Sequence, residues 1–112
     1  MKEADVERRL DRLKDFGFDH IKLKVPGRSH LPDRLIFMPR FAPGPPMFLE
    51  VKLNDEPRPA QIACMEDLEN RGCKVLPVCR DYGEIDALIN KLISDIYSER
   101  QALIFLKDNL NG

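Results

Sequence analysis

Four prolines fall within the eight residues Pro39 to Pro46, and this stretch restricts the fold more than any other. Proline has no backbone N–H to give to a ladder, so the segment must be a connection. The apolar runs beside it, Asp33 to Met38 and Met47 to Leu53, are then two strands joined by a hairpin-like loop. The first is apolar enough to suggest burial on both faces. Upstream, Val6, Leu10, Leu13 and Phe16 form a helical stripe over residues 3–16, with Gly17 as the stop. His20 to Val25 alternates Ile21, Leu23 and Val25 against His20, Lys22 and Lys24, the period of a half-buried strand. Pro26 to His30 is a turn-rich loop, and Pro32 keeps Leu31 out of helix.

Downstream, a polar turn at 54–58 leads to Pro59, well placed to start a helix that runs to Arg71 before Gly72. Lys74 to Cys79 is a fourth strand. The last helix begins near Glu84, with Ile85, Leu88, Ile89, Leu92, Ile96 and Leu103 on one side. Unbroken to Lys107 it would span ~36 Å at 1.5 Å per residue. That is long for a small domain, so a break near Ser98 or a partner subunit covering the excess is expected. The order α-β-β-β-α-β-α predicts an α/β fold with a central mixed sheet flanked by helices. At 112 residues the chain is one domain, with a C-terminal helical extension from about residue 84.

Eighteen basic residues face 19 acidic ones, which excludes a globally basic nucleic-acid binder but not a local basic face. With 43% hydrophobic residues the chain is too apolar for disorder, and its longest apolar runs are too short to cross a membrane. No secretory signal opens the sequence. Cys64, Cys73 and Cys79 cannot all pair within one chain, no CxxC occurs, and His20 and His30 lie far upstream of them. Reduced cysteines in a reducing cytoplasm, rather than a zinc site, are the expectation.

The chemistry concentrates around Asp33 and Glu50-Val51-Lys52. In an alternating strand, Leu49, Val51 and Leu53 fill the core while Phe48, Glu50 and Lys52 share the other face. A hairpin then brings Asp33, at the start of the preceding strand, near Glu50 and Lys52. Two carboxylates converging at a strand end suit a hard cation, Mg²⁺ or Mn²⁺, with the Val51 carbonyl as a further ligand. Such an ion acidifies a bound water, and Lys52 could orient that water or stabilise charge on a phosphoryl oxygen. Gln61 falls in the middle of the apolar stripe of its helix, with Cys64, Met65 and Leu68. It either joins this site or caps a nearby backbone group.

In order, Val6-Glu7, Lys22, Pro26-Gly27, Pro32-Asp33-Arg34, Glu50-Val51-Lys52, Pro59-Ala60-Gln61 and Gly72 with Lys74 to Val78 resemble the VRR-NUC domain. This is a branch of the PD-(D/E)XK nuclease superfamily, and the likeness is to its small stand-alone phage and bacterial type. The resemblance covers residues 3–80 and implies a restriction-endonuclease-like core. It implies that Asp33, Glu50 and Glu7 hold the metal, that Lys52 is the catalytic lysine, and that Gln61 supports the site. Glu3, one turn from Glu7, could take its place. The chain departs from the family in carrying His30 where a glycine usually precedes Pro-Asp, and a histidine there could contact a phosphate.

From His20 to Leu49 the local net charge is +4, against −5 for the rest of the chain. Lys22, Lys24, Arg28, His30, Arg34 and Arg40 are therefore the candidate DNA contacts, with Arg28 and Arg40 on loops best placed for the backbone. There is no Trp, so extensive base stacking has little support. The resemblance implies a structure-selective DNA endonuclease, similar to Holliday-junction resolving enzymes and acting as a homodimer in a bacterial or phage-infected cell. The apolar last helix is a candidate interface. The alternative is a catalytically silent DNA-binding or assembly module on the same frame.

Overall fold

A computed structural model describes residues 3–28, 30–97, 101, 103, 104 and 106–108. Helix α1 spans Glu3–Leu10 and tightens into a 3₁₀ segment over Asp11–Phe16. The expected helix over 3–16 is thus one continuous element in two pitches. It ends at Gly17, whose φ of 90° is the left-handed cap that glycine adopts without strain. Strands β1 (Asp19–Lys22), β2 (Arg34–Phe37) and β3 (Met47–Leu49) follow, then α2 (Pro59–Asn70), β4 (Lys74–Val75) and α3 (Tyr82–Ile96). The strands lie in chain order, antiparallel across β1, β2 and β3, with β4 parallel to β3. This is the mixed sheet expected, with α1, the 3₁₀ segment and α3 packed together and α2 against β4.

Val6, Leu10, Leu13 and Phe16 are all buried, and they meet Ile36, Met47, Leu49, Ile85 and Ile89 in one core. Strand β1 reverses the expected sides. His20 is buried opposite Ile36, whereas Ile21 is 43% exposed. The reversal is affordable because acidic residues of α1 and the 3₁₀ segment receive His20, while α2 covers the other end of the sheet.

Strands β3 and β4 are shorter than their apolar patterns for a local reason. Leu76 N–H donates to the Phe48 carbonyl at 2.9 Å, but the next donor to that strand is Cys79, to the Glu50 carbonyl at 3.1 Å. A regular parallel ladder advances two residues on both strands, so β4 holds one extra residue where Pro77 has no N–H to give. Beyond this bulge Val51 bridges Cys79, and Lys52 N–H donates to the Cys79 carbonyl at 2.9 Å.

Helix α3 stops at Ile96, and the described residues 101, 103, 104 and 106–108 are helical again. Tyr97 turns extended (φ −115°, ψ 140°), donating its buried hydroxyl to the Phe16 carbonyl at 2.8 Å. Ser98, the expected break, lies just outside the described residues. Leu103, expected on the buried stripe, is 64% exposed because the chain has already turned away at Tyr97. No helix among the described residues is long and apolar enough to cross a membrane.

Candidate active site

Asp33 and Glu50 each stand one residue outside a strand. The β2–β3 register pairs Arg34 with Leu49, Leu35 with Phe48 and Ile36 with Met47. One further step places Asp33 opposite Glu50. Both backbones are held there, since Leu23 N–H donates to the Asp33 carbonyl at 2.7 Å and Cys79 N–H to the Glu50 carbonyl at 3.1 Å. Directly opposed residues share a face with Cβ atoms ~5 Å apart, and like charges so placed repel.

Their protonation reflects that placement. Burial raises the Asp33 carboxyl above its ordinary value, and the Glu3 charge raises it further, against Arg34 and a hydrogen bond from Val51 N–H. Glu50, only 4% exposed, is pushed up to about 7, first by burial and then by the Asp33 charge, with Lys52 opposing. Asp33 Oδ1 is buried with no hydrogen-bond partner among the described residues. A buried Glu50 and a half-buried Asp33 whose Oδ1 has no partner among the described residues form a site short of positive charge. Lys52 is half-buried and makes no ion pair with either carboxylate among the described residues. A hard divalent cation fits this donor set, because it takes carboxylate and carbonyl oxygens and keeps several waters. Val51, with its N–H on Asp33, has its backbone edge turned toward the pair.

The acidic contribution of α1 resolves into two roles. Arg34 is wholly buried, and its guanidinium divides between Glu3 Oε1 and Glu7 Oε2, the latter at 2.5 Å. Glu3 is the α1 carboxylate whose charge acts on Asp33, and it also meets Lys22 at 3.5 Å. Glu7 is turned to Arg34 and, at 4.0 Å, to His20 Nδ1. Of the two glutamates left open by the sequence, Glu3 is the one brought toward the pair.

Among the expected DNA contacts, Lys22, Lys24 and Arg28 line one open cleft of about 520 Å³ with Asp33 at its wall. His30 is exposed on the loop that leads to Asp33. Arg34 corrects the expectation, because a fully buried, doubly paired guanidinium cannot reach a phosphate. Arg40 is exposed, but it follows β2 at the end of the strand away from Asp33, so the fold does not bring it to the cleft. Gln61 caps its own helix, its Oε1 accepting from Arg58 N–H at 2.9 Å. Sequence reasoning missed His20 and Asp11, which pair at 2.8 Å. The available signal was Asp11 one helical turn beyond Glu7, a face that a strand histidine could meet.

The mixed four-stranded sheet between helices, with its acidic pair at one strand end, is a restriction-endonuclease-like α/β fold. A solved structure described as a VRR_NUC domain matches 85% of this chain and 97% of its own, at 33% identity and a TM-score of 0.63. The chain belongs to the VRR-NUC domain family, a nuclease-domain family of the PD-(D/E)XK superfamily. No family model and no curated protein matches the sequence.

Proposed function

We propose that the chain is a divalent-metal-dependent endodeoxyribonuclease. The facing of Asp33 and Glu50 around an Asp33 Oδ1 with no hydrogen-bond partner among the described residues, with Lys52 one alternation from Glu50, carries this reading. Mg²⁺ or Mn²⁺ held by Asp33, Glu50 and the Val51 carbonyl would offset phosphoryl charge and supply an acidified water. Glu3 completes the acidic set from α1, with Glu7 left to Arg34 and His20. Lys52 orients the attacking water and stabilises the charge that develops on the phosphoryl oxygens. Gln61, fixed by its cap at the start of α2, supports the site. Lys22, Lys24 and Arg28 hold the phosphodiester backbone across the cleft beside Asp33, with His30 at its entrance.

The substrate is branched DNA, recognised by shape, and two chains act together as a Holliday-junction-resolving homodimer. Exposed Leu103 and Ile104 on the C-terminal segment supply the apolar surface for pairing.

The test is cleavage of labelled four-way-junction, flap and linear duplex DNA with Mg²⁺, Mn²⁺ or EDTA. Metal-dependent cutting lost in both Asp33→Ala and Lys52→Ala is expected, with the junction preferred. Binding without cutting on any substrate would leave a silent DNA-binding or assembly module instead.

A further inference from the structure

His20 has no place in the proposed chemistry, yet its side chain is 0% exposed and meets two carboxylates. Nε2 lies 2.8 Å from Asp11 Oδ1, and this contact together with Lys14 at 3.3 Å holds the Asp11 carboxyl below its usual range. An ionised carboxylate can only accept, so Nε2 carries the hydrogen, and Nδ1 is the ring atom left to bind a cation whenever it holds no proton. That atom is buried and has no hydrogen-bond partner among the described residues. It faces Glu7 Oε1 at 4.0 Å, too far for a hydrogen bond. Nδ1 and Glu7 Oε1 thus face each other across a gap that no other polar atom of the described residues bridges.

Metal–ligand bonds of ~2.0–2.2 Å allow two ligands of one ion to stand up to about 4.4 Å apart. One donor atom from each of Glu7, Asp11 and His20 lies within 4.8 Å of the other two. The surrounding cations orient these donors. Arg34 takes Glu7 Oε2 and leaves Oε1 for the gap, while Lys14 sits on the Asp11 oxygen that already holds the ring. Carboxylate behind imidazole, with metal in front, is the arrangement that fixes a ligating histidine's tautomer and raises its basicity. Glu7 and Asp11 are half-exposed, so an ion can enter from solvent.

We propose that His20 Nδ1 and Glu7 Oε1, with Asp11 behind the ring, form a second cation site separate from the Asp33–Glu50 pair. Imidazole with carboxylate selects a transition ion of the zinc type over Mg²⁺. The ion pins α1 and the 3₁₀ segment to β1. Through Glu7 it also fixes Arg34, which lies next to Asp33 in the chain.

The chain has two histidines, so both rings resolve in ¹⁵N imidazole spectra. The experiment titrates Zn²⁺ into chelator-treated full-length Asp33→Asn/Glu50→Gln protein, which has lost the other site. One equivalent should shift the His20 Nδ1 resonance and leave His30 unmoved, while the same concentration of Mg²⁺ does nothing. Glu7→Gln should weaken the apparent affinity at least ~10-fold. If the double variant does not fold, wild type saturated with Mg²⁺ replaces it. An unmoved His20, a shift at His30 alone, or a shift that Glu7→Gln leaves unchanged overturns the proposal. So does a His20 ring holding protons on both nitrogens that Zn²⁺ does not displace. DNA cleavage is not a readout, so the nuclease reading can fail without this one.

Discussion

Asp33 and Glu50 face each other across β2 and β3, one step past the last paired residues, and the Asp33 charge adds to burial in making Glu50 harder to ionise. The folded protein therefore retains a proton on Glu50 that the unfolded chain has released above its ordinary value of 4.5. The folded state binds more protons between 4.5 and about 7, so stability falls as pH rises through that window. The loss is at most about 3 kcal/mol at ~1.4 kcal/mol per unit. Metal-free Glu50→Gln should match wild type near pH 4.5 and unfold at a higher temperature by pH 8. Parallel melting profiles for the two proteins across that range would contradict the assignment.

Lys52 stands apart from both carboxylates in contact but not in charge, since it opposes the rise at Glu50. Lys52→Met should reduce single-turnover cleavage by ~10²–10³-fold, the usual cost of one preorganised charge. Mn²⁺ binding, followed by calorimetry, should be retained.

Arg34 lies beneath α1 with two carboxylates on its guanidinium. Arg34→Met should cost about 2–3 kcal/mol in urea unfolding, less than the ~3–5 kcal/mol of a fully buried pair because Glu3 and Glu7 can hydrate once released. Variant protein kept folded should bind DNA with an unchanged dependence on salt.

Arg28 gives the opposite pattern. It is exposed at the cleft wall, so Arg28→Ala should leave the urea midpoint within ~0.5 kcal/mol of wild type. The slope of log affinity against log salt should become shallower by about one unit.

Periodicity disclosed most of this fold because most of its elements have one buried side. Val6, Leu10, Leu13 and Phe16 point into the core whether their backbone is α or 3₁₀. The opposition of Asp33 and Glu50 was equally legible, since a hairpin between two runs of known length leaves few registers. Alternation could not say which side of β1 faces inward. That depends on Asp11 and Glu7, which make a buried histidine tolerable, and on where α2 lies. Charge counting placed Arg34 with the DNA contacts for a similar reason. A basic residue in a strand reads as exposed until the carboxylates that bury it are found, here 27 and 31 positions away. Gln61 was ambiguous because both of its uses, helix cap and site residue, require the same amide in the same first turn.

The extra residue at Pro77 makes this strand tolerant of a one-residue gap. Leu76 and Cys79 both belong to the core although three positions separate them, a spacing that ordinary alternation would send to opposite sides. Deleting Pro77 or Val78 would shorten that spacing to two, which alternation keeps on one side, so the bulge would close into a regular ladder with Leu76 and Cys79 both still inward. The Cys79 backbone grips Glu50 and Lys52 on either side of Val51, so the loss of the spare residue would leave the Asp33–Glu50 edge held as before.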